Sequence, residues 1–360
     1  MFQKGLKDIV AVHTSIASVE GDIGELRYRG VKVDDLIPHM TFEQVAEFVW
    51  TGEQKKEELR LGVYETRQLP EHVKQIIDVL PKDMSLMDAM RTAVSAFAHS
   101  KFSEQSIEEQ AVSLTASLPI IVARHYRLRN GFEPIEPHSK LSFTANYLYM
   151  ITGVVPAEVH VEALETYLKL TMEHGLNAST FAARVTISTE SDLTAAITSA
   201  LGTMKGPLHG GAPSGVIELL EEIGEPENIR SIVAKKLEDG ERIMGFGHRV
   251  YQTEDPRSIL LREKCESMMG QDGWLDLATK AEKVILELLD EHKPGRKLYT
   301  NVEYYAAAIM RSIEMPSELF TPTFSVARMV GWTTHAIEQL NDNTIFRPQS
   351  IYVGSFNKTK

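Results

Sequence analysis

The chain has one cysteine in 360 residues, no long apolar run and no basic excess. A lone thiol, Cys265, forms no intrachain disulfide and builds no cysteine zinc cage, and it suits a reducing compartment, so a cytoplasmic protein is expected. Cys265 sits in LREKCESMM, a stretch with helical character and no glycine elbow. It reads as a packing residue rather than a nucleophile. No stretch reaches 18 apolar residues, so no membrane span is expected. The N-terminal MFQKGLKDIVAVHTS lacks the apolar core and small-residue cleavage site of a secretory signal. Lys and Arg total 38 against 50 Asp and Glu, a net charge of −12, which argues against a nucleic-acid surface. An anionic substrate stays open, because local arginines act within a Debye length of about 10 Å while distant acids are screened. There is no internal repeat and no low-complexity tract. A metal site is not expected either: H-E-x-x-H is absent, and His335 with Glu338 runs H-x-x-E rather than E-x-x-H.

What is present is mostly helical periodicity. The length suits about two domains, each large enough to bury a core. The first 35 residues differ from the rest: VAVHTSIASVEGDIGELRYRG mixes β-branched residues with a G-D-x-G turn and predicts a small hairpin. TFEQVAEFVWTG then begins with a capping box, Thr41 to Gln44, and stops at Gly52. Helical spacing recurs over 85–100, 107–131, 156–175 (Pro156 in its first turn), 191–204, 213–223, 226–239, 255–269, 274–291, 301–314 and 322–341. The fold class is mainly α, with a small N-terminal β element. Linkers are weak, and the residues alone define no domain boundary.

Two histidines stand in glycine-framed loops, His209 in GPLHGGAPSG (206–215) and His248 in GFGHRVYQTEDPR (245–257). Glycine lets a backbone approach a ligand, and imidazole changes its hydrogen-bond role near neutral pH, so acid–base or electrophilic chemistry is indicated. A dinucleotide fingerprint is rejected, because Val250 stands where its third glycine belongs and no strand precedes. NVEYYAAA (301–308) adds a carboxylate, Glu303, at a helix start. Taken singly, each residue has a plain reading too: a loop histidine bonded to backbone, or an acid complementing a helix dipole.

These segments, with HGLNASTFAARVT (174–186) and LFTPTFSVARMVGW (319–332), resemble the citrate synthase family in type and order over most of the chain. The resemblance implies a large helical domain, 1–209 and 309–360, with a smaller helical domain, 210–308, inserted between. It implies His209 as the donor to the thioester carbonyl of acetyl-CoA, His248 as the donor to the oxaloacetate ketone, and Glu303 as the base. Glu303 is a departure, since the family usually has Pro-Asn-Val-Asp where this chain has Thr300-Asn301-Val302-Glu303. The extra methylene adds roughly 1.5 Å of reach, and a misplacement of about 1 Å can cost about a hundredfold in rate.

By the same resemblance His174, Asn177, Phe324 and the arginines Arg257, Arg328 and Arg347 hold oxaloacetate, with Arg347 reaching the neighbouring subunit's site in a homodimer. A dianion suits guanidinium forks. Met244, Gly245, Phe246 and Gly247 match the segment that recognises CoA adenine. Arg296 adds positive charge nearby, and Gln252 stands where the family often has a cation for CoA phosphate. The implied reaction is condensation of acetyl-CoA, oxaloacetate and water to citrate and CoA, through an enol or enolate and citryl-CoA, with no metal and no cofactor beyond the thioester. Two alternatives stay open. One is 2-methylcitrate synthesis from propionyl-CoA, since one methylene is worth only about 1–3 kcal/mol in an apolar pocket. The other is a non-catalytic relative that binds CoA or a keto acid.

Overall fold

The computed structural model describes the whole chain except residues 1, 7, 58, 211–212, 249, 271–272 and 356–360, and the side chains of 213–214. The β-branched N-terminal stretch forms an antiparallel sheet in the order β1 (Ala17–Glu20), β2 (Glu25–Tyr28), β3 (Val31–Lys32). Ala17 pairs with Tyr28 and Glu20 with Glu25. The expected hairpin is therefore present, with a third short strand added by the turn at Arg29–Gly30.

Helices make up most of the remaining chain. α1 (Val33–Leu36), α2 (Phe42–Thr51), α3 (Glu71–Asp78), α4 (Leu86–Ser95) and α5 (Ser100–Ser103) precede α6 (Ile107–Arg129). α7 (Phe143–Thr152), α8 (Glu158–Thr171), α9 (Ala178–Ile187) and α10 (Leu193–Met204) come next. α11 (Pro213–Ile223), α12 (Ile229–Glu238), α13 (Pro256–Ser267), α14 (Gly273–His292), α15 (Val302–Ser312) and α16 (Phe320–Asn341) complete the chain. α2 has the expected capping box: the Thr41 hydroxyl accepts from the Gln44 amide, and the Gln44 side chain accepts from the Thr41 amide. Gly52 ends α2 in the left-handed region.

Two differences from the sequence-based expectation bear on the site. α8 starts after N-cap Ala157, so Pro156 lies outside it, and it ends at Thr171, leaving His174 in a loop rather than on a helix end. α9 begins directly after that loop at N-cap Asn177, where HGLNAST shows no apolar periodicity. α3 and α7 are likewise not expected from periodicity; α3 buries only Val73 and Ile77, too few to show a repeat.

The core centres on α16, which is buried along nearly its whole length. Val326, Met329, Val330 and Trp332 have no exposed surface. Each fully buried side chain of this kind is worth roughly 1.5–3 kcal/mol over exposure. Cys265 is fully buried in α13, and burial raises its thiol pKa, as a packing role requires. After α16 the chain runs without regular structure to residue 355, pinned where Phe346 packs on Phe181 at 5.4 Å.

Candidate active site

One cavity of about 150 Å³ is lined by His174, Asn177, His209, His248, Arg257, Glu303, Phe324 and Arg328. Eight of the nine residues singled out for catalysis and oxaloacetate binding thus meet in one place. They come from the α8–α9 loop, the loops before α11 and α13, the starts of α13 and α15, and the N-terminal half of α16. The ninth, Arg347, is exposed in the C-terminal tail and faces a separate groove beside Ala11–Ser15.

Arg328 carries the anion-binding argument. It is 2 % exposed, and its Nε donates to the Thr171 carbonyl at 2.8 Å. Its two terminal amino groups donate to nothing among the described residues. A buried guanidinium with an open fork in a cavity has the geometry to receive a carboxylate. The Phe324 ring lies 4.8 Å from its carbon, a cation–π contact that holds the fork in place. Arg257 is different. Its Nε and Nη2 donate to the two carboxylate oxygens of Asp255 at 3.0 and 2.8 Å. Burial would lower its pKa, but Asp255 outweighs that and raises it. Arg257 therefore offers the cavity the remainder of its fork. Nη2 also stands 3.4 Å from His248 Nε2.

The three histidines are held neutral. His248 has part of its surface open to solvent. Its Nδ1 nevertheless accepts backbone N–H bonds from Val250 and Tyr251 at 3.0 and 3.1 Å. Nδ1 is thus an acceptor, and the proton of the neutral ring sits on Nε2, the nitrogen beside Arg257 Nη2. An oxygen acceptor placed between those two donors would be polarised by both. Surrounding protein, then the Arg257 charge, push the His248 pKa down to about 4. His209 Nε2 lies 3.3 Å from the Ser179 amide, which donates to it, and 2.8 Å from the Ser179 hydroxyl. That amide is in the first turn of α9, so a helix N-terminus faces the ring and opposes its protonation. Nδ1 of His209 is left to carry the proton. Burial, then Arg328, lower its pKa to about 4. His174 is pushed well below its ordinary value by burial and by Arg257 and Arg328.

Glu303 follows N-cap Asn301, whose side chain accepts from the Glu303 amide and donates to the Gly247 carbonyl at 3.0 Å each. No described residue donates to the Glu303 carboxylate. Burial raises its pKa, more than Arg257 and Arg242 lower it. A desolvated carboxylate without donors is a stronger base than one in water. Asn301 also anchors the 245–247 loop: its amide donates to Gly245, and the Gly247 amide donates to Tyr299. Thus Gly245, Phe246 and Gly247 run antiparallel to 299–301, with Met244 packed on Gly215. Arg296 is exposed in the loop leading to that pairing and does not line the cavity.

Four residues that hold or orient the site's side chains were not picked out from the sequence. Asp255 neutralises Arg257, and Ser179 orients His209. Asn301 ties two loops, and the Tyr251 hydroxyl lies 3.1 Å from His174 Nε2. Asp255 and Asn301 stand two residues before functional positions at helix N-caps, and that spacing is the signal that could have found them.

The comparisons agree with this architecture. The citrate synthase, C-terminal domain, family profile matches residues 5–349. A citrate synthase of Synechocystis sp. is 37% identical, covering 99% of this chain and 92% of its own length. A 2-methylcitrate synthase of Shewanella oneidensis is 35% identical over 97% and 94%. The crystal structure of citrate synthase from Thermotoga maritima superposes with a TM-score of 0.87 at 36% identity, covering 100% of this chain and 98% of that one. Fold and cavity together define an acyltransferase. The chain belongs to the citrate synthase family.

Proposed function

We propose that the protein condenses acetyl-CoA with oxaloacetate and water to give citrate and CoA. The observation that carries this reading is the open, buried fork of Arg328 beside two neutral imidazoles and a desolvated carboxylate. Arg328 and the free part of Arg257 hold the oxaloacetate carboxylates, with His174 and Asn177 beside them and Phe324 against the substrate. His248 Nε2–H donates to the ketone oxygen, which makes its carbon electrophilic. Glu303 removes a methyl proton from acetyl-CoA while His209 Nδ1–H donates to the thioester oxygen, so an enol forms without a free enolate charge. The enol carbon bonds to the ketone carbon while the enol oxygen returns its proton to His209 and the thioester carbonyl re-forms; the proton that Glu303 removed ends on the former ketone oxygen, which restores both residues. Water then adds to the citryl-CoA thioester, and the C–S bond breaks to release CoA. The backbone of Met244–Gly247 receives the CoA adenine, and Arg296 adds charge near its phosphates.

The test is thiol release from acetyl-CoA and, separately, from propionyl-CoA, each with and without oxaloacetate. Release should require oxaloacetate, favour acetyl-CoA and survive a chelator, because His209, His248 and the arginines supply all the polarisation. No release with either thioester would support a non-catalytic binding protein. Preference for propionyl-CoA would assign 2-methylcitrate synthesis, the alternative that relatives of both names at similar identity leave open.

We further propose a two-domain cytoplasmic homodimer, with 210–308 as the smaller domain and Arg347 completing the partner's site. Arg347 lies outside its own chain's cavity on an exposed tail, as such an exchange requires. Mixed subunits of Arg347→Ala and His209→Ala should recover part of the activity that each lacks. Full activity of a monomer would overturn the assembly.

A further inference from the structure

The β1–β2 hairpin touches two of the three loops that hold the cavity's histidines, those of His174 and His248. At its tip, the Gly21 carbonyl accepts the Gln252 amide at 2.9 Å. A Cβ on Gly21 would stand 2.1 Å from the Val250 carbonyl oxygen. A Cβ on Gly24 would stand 2.4 Å from Thr253 Oγ1 and 2.7 Å from the Glu254 carbonyl. Both glycines are thus close-approach contacts with the loop that follows His248 and contains Tyr251. At the other end of β2, Tyr28 is fully buried, and its hydroxyl lies 3.0 Å from the Glu173 carbonyl and 3.1 Å from those of Lys169 and Leu170. This ties the sheet to the end of α8, immediately before His174. Val19 packs on Gly175 from the same strand pair.

We infer that this hairpin is a clamp that sets the spacing of the His174 and His248 loops, making Gly21, Gly24 and Tyr28 positioning residues for the keto acid. His174 and the described residues of 248–254 lie outside helix and strand. The Tyr251 hydroxyl and His174 Nε2 meet at 3.1 Å across the gap that the hairpin spans. The contacts of Gly21, Gly24, Tyr28 and Val19 fall on the segments that hold His248 and His174, and those of Gly21, Gly24 and Tyr28 reach neither Glu303 nor His209 among the described residues. Its effect therefore falls on oxaloacetate first.

The inference rests on the oxaloacetate reading, and direct binding separates the two. Oxaloacetate affinity is measured by calorimetry without thioester, KM for both substrates by thiol release, and folding by thermal unfolding, in wild type, Gly21→Ala, Gly24→Ala, Tyr28→Phe and Gly30→Ala. Gly30 is the control: it turns β2 into β3 with φ +83° like Gly24 at +68°, but nothing lies within 4 Å of its Cβ position. Gly21→Ala and Gly24→Ala should weaken oxaloacetate by about tenfold or more while acetyl-CoA KM changes by less than about threefold. Tyr28→Phe, which inserts no atom, should weaken oxaloacetate several-fold in a folded protein. Gly30→Ala should lower the unfolding temperature and leave both substrates alone. Unchanged oxaloacetate binding in folded Gly21→Ala or Tyr28→Phe overturns the clamp, as does an equal loss in Gly30→Ala. Wild type that binds no oxaloacetate overturns the functional reading instead.

Discussion

α16 carries two buried arginine-linked centres that the fold treats in opposite ways. Toward its C-terminal half, His335 has no exposed surface and both of its ring nitrogens are engaged. Arg184 donates from Nε to His335 Nδ1 at 2.9 Å, from Nη1 to Gln339 at 3.0 Å, and from Nη2 to Glu338. Arginine only donates, so His335 Nδ1 accepts, and its Nε2–H donates to Glu173 at 3.0 Å. Two turns earlier, Arg328 is just as buried, and its terminal amino groups meet no acceptor among the described residues. Satisfied buried charge specifies structure, whereas unsatisfied buried charge marks a place for a ligand. Burial alone does not distinguish the two; the inventory of partners does.

The largest effect should come from removing the base. Glu303→Gln should lose roughly 10²–10⁴-fold in turnover while binding oxaloacetate normally. Exchange of acetyl-CoA methyl protons with solvent, measured beside an unreactive keto-acid analogue, isolates the step; equal exchange by wild type and variant would assign the base elsewhere. The raised pKa adds a stability sign. A carboxyl with a raised folded pKa stabilises the fold when protonated and loses that as pH rises, so Glu303→Gln should be more stable than wild type at neutral pH. That advantage should shrink as pH falls through the raised pKa.

The arginine comparison is tested by a matched pair. Arg184→Met should cost about 3–5 kcal/mol in denaturant unfolding, because it strands His335 and Glu338, and should leave oxaloacetate affinity of the folded protein nearly intact. Arg328→Met should do the reverse, losing about 2–5 kcal/mol of oxaloacetate binding with a stability change nearer to about 1 kcal/mol. Arg328→Met unfolding as readily as Arg184→Met would break the distinction.

Smaller effects concern protons. His209 and His248, lowered to about 4, should be neutral throughout the working range. Their lowered values mean stability is kept above the ordinary histidine pKa and lost as pH falls from there toward 4. The acid limb of turnover should therefore follow Glu303, above the ordinary carboxylate range, with one proton in its slope; a two-proton limb would mean that a histidine titrates too. The smallest change should be Glu303→Asp. It should exceed Glu303→Gln by at least about tenfold in turnover, whichever of the two carboxylate lengths this backbone fits better.

Sequence by itself determined the local features: the capping box at Thr41, the hairpin, the buried packing role of Cys265 and most helices, because each follows from neighbours a few residues apart. It also pointed to side chains that line one cavity, since glycine-framed histidines and a helix-start carboxylate are visible in the string. Where HGLNAST carries small and polar residues in place of an apolar repeat, the start of α9 is illegible, and periodicity extends α8 too far, onto His174. Only the tertiary structure decided which arginine keeps an open fork and which is taken by Asp255. It likewise decided which nitrogen of His248 and of His209 carries the proton. It also decided that a hairpin whose Tyr28 lies 145 residues before Glu173 ties down the loop of His174. Those outcomes depend on partners brought together by packing, and no local pattern encodes a partner's distance.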